Sequence, residues 1–459
     1  MPKRFDLRSK FEVEGVFWRA SSPSDRFSGH LSATARGIEL STGATISNAE
    51  RFFAGTDPDG ALDVIHGWTT LGVCTLVELH GIKGPQHLDG KTGDVLSIRR
   101  LRVSLCIMGV HLRDPFGLFS ASIECTYIGL DNWLRPTSEI RLSEEEVSVR
   151  YPRRALRLLD FCVLSTKIGI TLSVGSDVAL SSSGRHSAAS RTRITIAPTE
   201  PTSLEQLLDV AYHFEDFLSL FLGISVRLRS VSCDIAGEGE GWFVRRQRGR
   251  VEKHDIQASF RCDLSQLSGA IAAWLSATDE LRPVQNLVYG TVRDSAMSAE
   301  TEFLSLAQGL ESFHRLTDRS ALVPASIFRR ICDVLVPTIA AVCNNHALAE
   351  RLEDAIRFAN EPSFKKRIES LITRIRPDHA ELLLGDPIEF EQTLRQTRNF
   401  FTHLGIKRQS KVITTGGDLF LFNQKLHAFL RLLMLLNVGF PEELVFGSVR
   451  YQSRKWTLF

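Results

Sequence analysis

The chain has 459 residues, 43% of them hydrophobic and 24% charged, with 55 Lys and Arg against 53 Asp and Glu. That length exceeds one ordinary core and calls for two or three domains, and the balance is that of a soluble globular protein. A formal net charge of +2 excludes a global field for nucleic acid, so any RNA contact must come from a local patch.

The start, Met1-Pro2-Lys3-Arg4-Phe5-Asp6, lacks the apolar run of a signal peptide. From there the texture is β. Short alternating or β-branched runs occur at Phe11 to Trp18, Gly37 to Leu40, Val73 to Leu79, Val95 to Val110, Ser122 to Ile128 and Val147 to Tyr151. Turn chemistry separates them at Ser22-Pro23-Ser24-Asp25, Asp57-Pro58-Asp59-Gly60 and Lys83-Gly84-Pro85. Strands at this spacing predict a sandwich or barrel. A second β segment runs from Leu158 to Val178 and returns at Thr192 to Ile196. Thr202-Ser203-Leu204-Glu205 has the form of a capping box and opens a helix with Leu204, Leu207, Leu208, Ala211 and Phe214 on one face. Strand-like patterns resume at Ile224 to Val231 and Trp242 to Val244. Between them, Gly237-Glu238-Gly239-Glu240-Gly241 is glycine-rich, but acidic residues fill its gaps and a strand follows. It predicts a hairpin loop, not a phosphate cradle.

From Asp263 the pattern turns helical and stays so: Leu264 to Ala277, Val284 to Val292, Glu300 to Leu316, Ser326 to Phe358, Phe364 to Ile375, Phe390 to His403 and Leu419 to Val438. In the third, Phe303, Leu306, Leu310 and Phe313 share a stripe. Breakers at Pro362, Pro377 and Gly416-Gly417 divide the series. The fold class is therefore α+β and multidomain: a β-rich amino-terminal region, sandwich-like with a smaller α/β part, over residues 1–262, then an all-α bundle over residues 263–459. The longest apolar stretch, Leu426 to Phe440, contains Arg431 and Asn437 and is shorter than the roughly 20 residues that span a bilayer. This predicts a cytoplasmic protein without membrane contact. The 8 cysteines are scattered through apolar runs with no CxxC pair and no zinc-ligand spacing, which predicts buried reduced thiols and no metal or other cofactor.

Arg398-Asn399-Phe400-Phe401-Thr402-His403 places a permanent cation and a proton carrier five positions apart at a helix end, shortly before Gly405. On a regular helix that spacing sets the side chains roughly 140° apart, so the pair cannot meet on one phosphate from an unbroken helix. Either the helix opens near Gly405 or a second copy completes the site across a two-fold axis. Two other Arg/His spacings, Arg374 to His379 and Arg248 to His254, are set aside because Pro377 interrupts the first and the second lies in a basic, strand-like region. Competing readings are structural. A terminal His commonly interacts with the last helical carbonyls, Phe400 and Phe401 suit core packing better than base stacking, and His314 suits a surface or supporting place. The run Arg245-Arg246-Gln247-Arg248-Gly249-Arg250 is a local cationic patch for RNA or a partner, or else a solvated hairpin edge.

The Arg398 to His403 run resembles the R-x(4–6)-H signature of HEPN domains, and the carboxy-terminal half resembles the HEPN domain of the ApeA family of anti-phage abortive-infection proteins. The residues carrying it are Phe303 to Leu306, Leu310 to Arg315, Phe364 to Ile368 and the Arg398 run. The amino-terminal half is similar to that family's own first domain at Gly29-His30-Leu31, Gly37 to Leu40 and Ile65-His66-Gly67. The resemblance implies a metal-independent endoribonuclease acting in anti-phage defence. Arg398 and His403 would be catalytic, with Asn399, Thr402 and the acidic Glu311 in support, and Arg245, Arg246 and Arg248 would contact RNA or a partner. It further implies an RNA substrate, a homodimer through the HEPN domain and a phage-derived trigger acting on the amino-terminal part. The alternative is a HEPN module that binds nucleotide or dimerises without catalysis.

Overall fold

The computed structural model describes residues 4–44, 64–82, 86–88, 95–128, 130, 139–142, 147–150, 154–163, 166–180, 186–245, 264–293, 297–403 and 410–455. The chain divides into two compact units, Met1–Ser276 and Ala277–Phe459. The boundary at 262/263, the Asp57 to Gly60 and Lys83 to Pro85 turns, and Arg246, Arg248, His254 and Gly405 lie outside the described residues.

The first unit opens with five strands: β1 (Phe11–Arg19), β2 (Ser22–Thr34), β3 (Gly37–Ala44), β4 (Ile65–Thr69) and β5 (Gly72–Ile82). Hairpins join β1 to β2, β2 to β3 and β4 to β5. Gly37 and Gly72 take positive φ at the last two turns, where a side chain would be strained. The long β6 (Val95–Met108) closes the ring. One edge of β6 pairs with β5, while the other pairs with β3 as far as Val103. Of the sandwich and barrel that the strand spacing allowed, this is an antiparallel barrel, β1-β2-β3-β6-β5-β4, in which every strand pairs on both sides.

Alternation sends Phe17, Leu31, Leu40, Leu76 and Leu101 into the barrel, all essentially inaccessible. Phe17 faces Gly67 across the β1–β4 pair. A Cβ on Gly67 would lie 2.6 Å from two carbons of the Phe17 ring, so the absent side chain makes room for the aromatic one. Phe17→Ala is expected to lower stability by about 3–5 kcal/mol through the void it leaves. Urea unfolding checks it, and a loss below 1 kcal/mol would show that the barrel collapses around the site.

Beyond Val103 the same edge of β6 hands over to a further strand, so the sheet runs out of the barrel. It continues through β7 (Ala121–Ile128), β8 (Arg154–Val163), β9 (Thr166–Leu180), β10 (His186–Pro198), β11 (Arg227–Ile235) and β12 (Gly239–Arg245). In space their order from β6 is β12-β11-β7-β10-β9-β8. The turn between β11 and β12 holds Gly237 at positive φ, the hairpin loop expected there. Helix α1 (Leu204–Leu222) packs on this extension, with the Phe214 ring 5.7 Å from that of Tyr127, and Tyr127 donates to the Ala211 carbonyl at 2.9 Å. Its capping box is Ser203 with Gln206, one residue later than the Thr202/Glu205 pair of the sequence reading.

Helix α2 (Leu264–Arg293) is continuous through Pro283, where two helices were expected. Leu281 before the proline and Val284 and Val288 after it are all buried, so packing holds both turns in line across the missing N–H. In the second unit, α3 (Ala299–Thr317) buries the predicted stripe Phe303, Leu306, Leu310 and Phe313 completely. The predicted segment from Ser326 to Phe358 is instead a hairpin of α4 (Ala325–Val342) and α5 (His346–Arg357). Asn345 starts α5 by accepting from the Leu348 N–H, a local cap that the longer reading overlooked.

There follow α6 (Phe364–Ile372), α7 (Pro377–Leu384), α8 (Pro387–Thr402), α9 (Gly416–Asn437) and α10 (Glu442–Lys455). Pro377 separates α6 from the next helix as expected, but it does so as the first residue of α7, a helix the sequence pattern did not indicate, at a position where a missing N–H costs nothing. Helix α9 is long and apolar enough by composition to cross a membrane, yet it packs on α3, α7 and α10 as the bundle's central helix, with just over half of its most apolar window buried. Burial lowers the Arg431 guanidinium within it to about 9, and Arg431 donates to Ser448.

Candidate active site

The site is built on α8. Asp386 caps its start by accepting from the Ile388 and Glu389 N–H groups, and Pro387 occupies the first turn. Phe390, Leu394 and Thr397 face inward and set the rotation of the helix, which leaves Arg398 half-buried at its inner edge. The Arg398 guanidinium lies between three groups. Nη2 is 3.6 Å from Glu311 Oε2 on α3, Nη1 donates to Asn399 Oδ1 at 3.3 Å, and Cζ stands 5.4 Å from the centre of the Phe364 ring at the start of α6. A fixed cation on an aromatic face beside a largely buried carboxylate is held in position.

Thr402 closes the last turn by donating from its hydroxyl to the Arg398 carbonyl at 2.8 Å. The helix stops there. His403 is the capping residue, with φ −123° and ψ 57°, and its N–H still reaches the Asn399 carbonyl at 3.0 Å. Its side chain is exposed, and among the described residues no hydrogen bond or ion pair reaches the ring. The structure thus gathers Arg398, Asn399 and Glu311, ties in Thr402 through the backbone, and leaves His403 facing solvent at the helix end. Phe401 packs 6.0 Å from Phe303, and Phe400 lies edge-on to Phe401.

Behind Arg398 stands a chain of charges that the sequence reading did not assemble. Glu311 also pairs with Arg315 at 3.2 Å, Arg315 with Glu361 at 3.3 Å, and Glu361 with the buried Arg367 at 2.7 Å. Arg367 Nη1 lies 3.4 Å from His314 Nδ1, and His314 Nε2 lies 3.3 Å from Asp318, which is in turn 3.6 Å from Arg374. An arginine can only donate, so His314 accepts at Nδ1 and carries its proton at Nε2 toward Asp318. His314, placed by the sequence reading on the surface or in support, is fully buried. The one prior signal was that Leu310 to Arg315 and Phe364 to Ile368 carried the family resemblance together.

Burial holds the His314 imidazole below its ordinary value, Asp318 pulling the other way and Arg367 and Arg374 reinforcing the depression. His66 in the barrel is lowered too, by burial and by neighbouring His111, against its hydrogen bond to the Leu112 carbonyl. In both cases the unfolded chain binds the proton more tightly. Their contribution is therefore complete above about pH 6.5 and is lost as the pH falls from there through the folded values. The urea midpoint is expected to fall between pH 7.5 and pH 5.5, and less steeply in a His314→Asn chain. An unchanged slope in that variant would remove His314 from the account.

The other candidates lie elsewhere. Arg374 pairs with Thr317 and Asp318, whereas His379 is buried against Phe446 and Glu442, so that Arg/His spacing forms no pair. Arg245 ends β12 with its guanidinium 5.9 Å from the Tyr212 ring, and its N–H reaches the Leu7 carbonyl. Among the described residues no group of three or more His, Cys, Asp or Glu is arranged for a metal ion. Of the described cysteines, Cys74, Cys106, Cys125 and Cys233 are buried and unpaired, while Cys332 and Cys343 are partly exposed, contrary to uniform burial. Burial pushes the Cys233 thiol up to about 12.

A β-rich unit built on a barrel, followed by a helical unit with an Arg-x4-His helix end, defines a two-part protein with a carboxy-terminal HEPN domain. Family models agree over most of the chain: ApeA N-terminal domain 1 matches residues 12–276, and Apea-like HEPN matches residues 304–444. The chain belongs to the ApeA family. No curated protein and no solved structure matches it.

Proposed function

We propose that the chain is a metal-independent endoribonuclease of the HEPN type acting in anti-phage defence in the cytoplasm. The observation that carries this reading is the seating of Arg398 by Glu311, Asn399 and Phe364, five residues before a solvent-facing His403. In RNA the attacking group is the substrate's own 2′-hydroxyl. His403 removes its proton, the 2′-oxygen bonds to phosphorus, and the bond to the 5′-oxygen breaks as that oxygen takes up a proton. Arg398 compensates the charge that builds on the phosphorane oxygens. The products are a 2′,3′-cyclic phosphate and a 5′-hydroxyl.

Because α8 ends with Arg398 turned toward α3 and α6 and His403 turned outward, the reading includes a homodimer through the helical unit that brings two helix ends to one phosphate. The β-rich unit holds the nuclease idle until a phage-derived trigger arrives. Division of the chain near residue 262 into these two roles is part of the same proposal, as is an RNA or partner contact at Arg245, Arg246 and Arg248.

Purified full-length chain incubated with RNA in EDTA tests the chemistry. Cyclic-phosphate ends are expected. A requirement for divalent metal, or 3′-hydroxyl ends, would overturn the mechanism, and RNA or nucleotide binding without cleavage would favour the non-catalytic module.

A further inference from the structure

The α4–α5 hairpin has the wrong side turned to solvent. A helix on a protein surface ordinarily points its apolar stripe at the core and its charges at water. Here neither helix buries a residue completely. On α4, Phe328, Cys332, Val336 and Ile339 are half-buried at helical spacing, the stripe turned toward α5. A second apolar stripe, Ile327, Ile331, Val334, Leu335 and Val342, is exposed, with Val334 at 66% and Val342 at 76%. Helix α5 repeats the pattern: Ala349 and Ile356 are half-buried, whereas Leu348 and Leu352 are exposed.

At 3.6 residues per turn, each exposed stripe lies roughly 100° from its inner stripe, in the same rotational sense on both helices. In antiparallel helices the same sense falls on the same side of the pair. The two exposed stripes therefore form one continuous apolar face, and Asp333 and Asp354 project from the opposite side. Thr338 is the polar residue within the α4 stripe, and its hydroxyl is already spent on the Val334 carbonyl at 2.7 Å. It offers a partner its methyl group.

We propose that this face is a docking surface for the same face of a second copy of the chain, two hairpins closing into a four-helix bundle. The proposal rests on the homodimer of the functional reading and names the surface that pairs, while its test reads association and not RNA cleavage. The two stripes expose seven large apolar side chains, on the order of 700 Å², close to the roughly 800 Å² that one partner contributes to a stable interface. That area exceeds the patch a monomer ordinarily leaves bare. A face without charges is complementary to itself, and a two-helix hairpin lacks a core until another pair of helices covers it. A lipid surface fits less well. Arg329, Arg330, Arg351 and Arg357 are balanced by Asp333, Glu350, Glu353 and Asp354, whereas helices lying on anionic membranes carry an excess of Lys and Arg.

Sedimentation velocity on the full chain from about 1 to 100 µM tests it, spanning the affinities a standard interface provides. Val334→Glu with Leu352→Glu places two charges in the middle of the face, at exposed positions that folding does not require to be apolar. The unmodified chain is expected to dimerise and the double variant to associate about 100-fold more weakly, with the same circular dichroism and, at concentrations where both are monomeric, the same melting temperature. Equal dimerisation of the variant would overturn the hairpin surface while sparing a dimer through another face. A monomeric unmodified chain would overturn both, and RNA cleavage by that monomer would leave the nuclease reading standing. Co-sedimentation of monomer with phosphatidylcholine–phosphatidylserine vesicles, abolished in the variant, would assign the face to lipid instead.

Discussion

A His403→Ala chain is expected to cleave RNA about 100- to 10,000-fold more slowly than the unmodified chain, the range for removing a positioned proton carrier. Its folding should hardly change. The ring is exposed, and the backbone bond from His403 to the Asn399 carbonyl survives truncation of the side chain. That separation of activity from stability makes the substitution decisive. Cleavage is followed with a labelled oligoribonucleotide under single-turnover conditions, and stability by urea unfolding. Free imidazole in the buffer should restore part of the rate if proton transfer is what was lost. A variant that cuts at the original rate would mean that the chemistry, if present, lies elsewhere on the chain.

For Arg398→Ala the expected loss is about 100- to 1,000-fold in cleavage, comparable to removing a preorganised charge stabiliser. Unlike His403, this residue also contributes to folding, because its loss leaves Glu311, only 13% exposed, with Arg315 as its remaining cation. The urea midpoint should therefore drop together with activity. Lysine at 398 should restore little. A single ammonium cannot at once donate to Asn399, approach Glu311 and sit over the Phe364 ring as the planar guanidinium does. Glu311→Gln completes the comparison as a positioning variant. It keeps the shape but not the charge, so kcat should fall while KM for RNA holds. Arg315→Ala, half-exposed and two links from the helix end, should do neither. Full activity of Arg398→Ala would contradict the assignment directly.

Much of the helical half was legible before any coordinates. The Phe303, Leu306, Leu310 and Phe313 stripe and the run ending at His403 depend on spacing within a few turns, which the sequence displays. The errors came where two local signals competed. Pro283 argued for a break that burial of Leu281, Val284 and Val288 overrides. The apolar run through α4 and α5 argued for one helix, although Asn345 held the cap that splits it. Nothing in the β-rich half announced that β6 pairs with β5 and β3 at once, since closure depends on strands far apart along the chain agreeing in tilt and register.

By itself the amino-acid sequence determined the order of a β-rich and a helical part, the resemblance to ApeA proteins, and which guanidinium and imidazole to weigh. These follow from residue type and short-range period, because hydrophobic alternation and capping act within a turn or a strand. Tertiary structure alone decided that the barrel closes, that Arg398 rests against Glu311 and Phe364, that His314 joins a buried run of charges, and that one face of the α4–α5 hairpin stays bare. Each is a contact between segments distant in the chain, and such contacts are selected by burying apolar area and pairing charge in three dimensions, which no local pattern encodes.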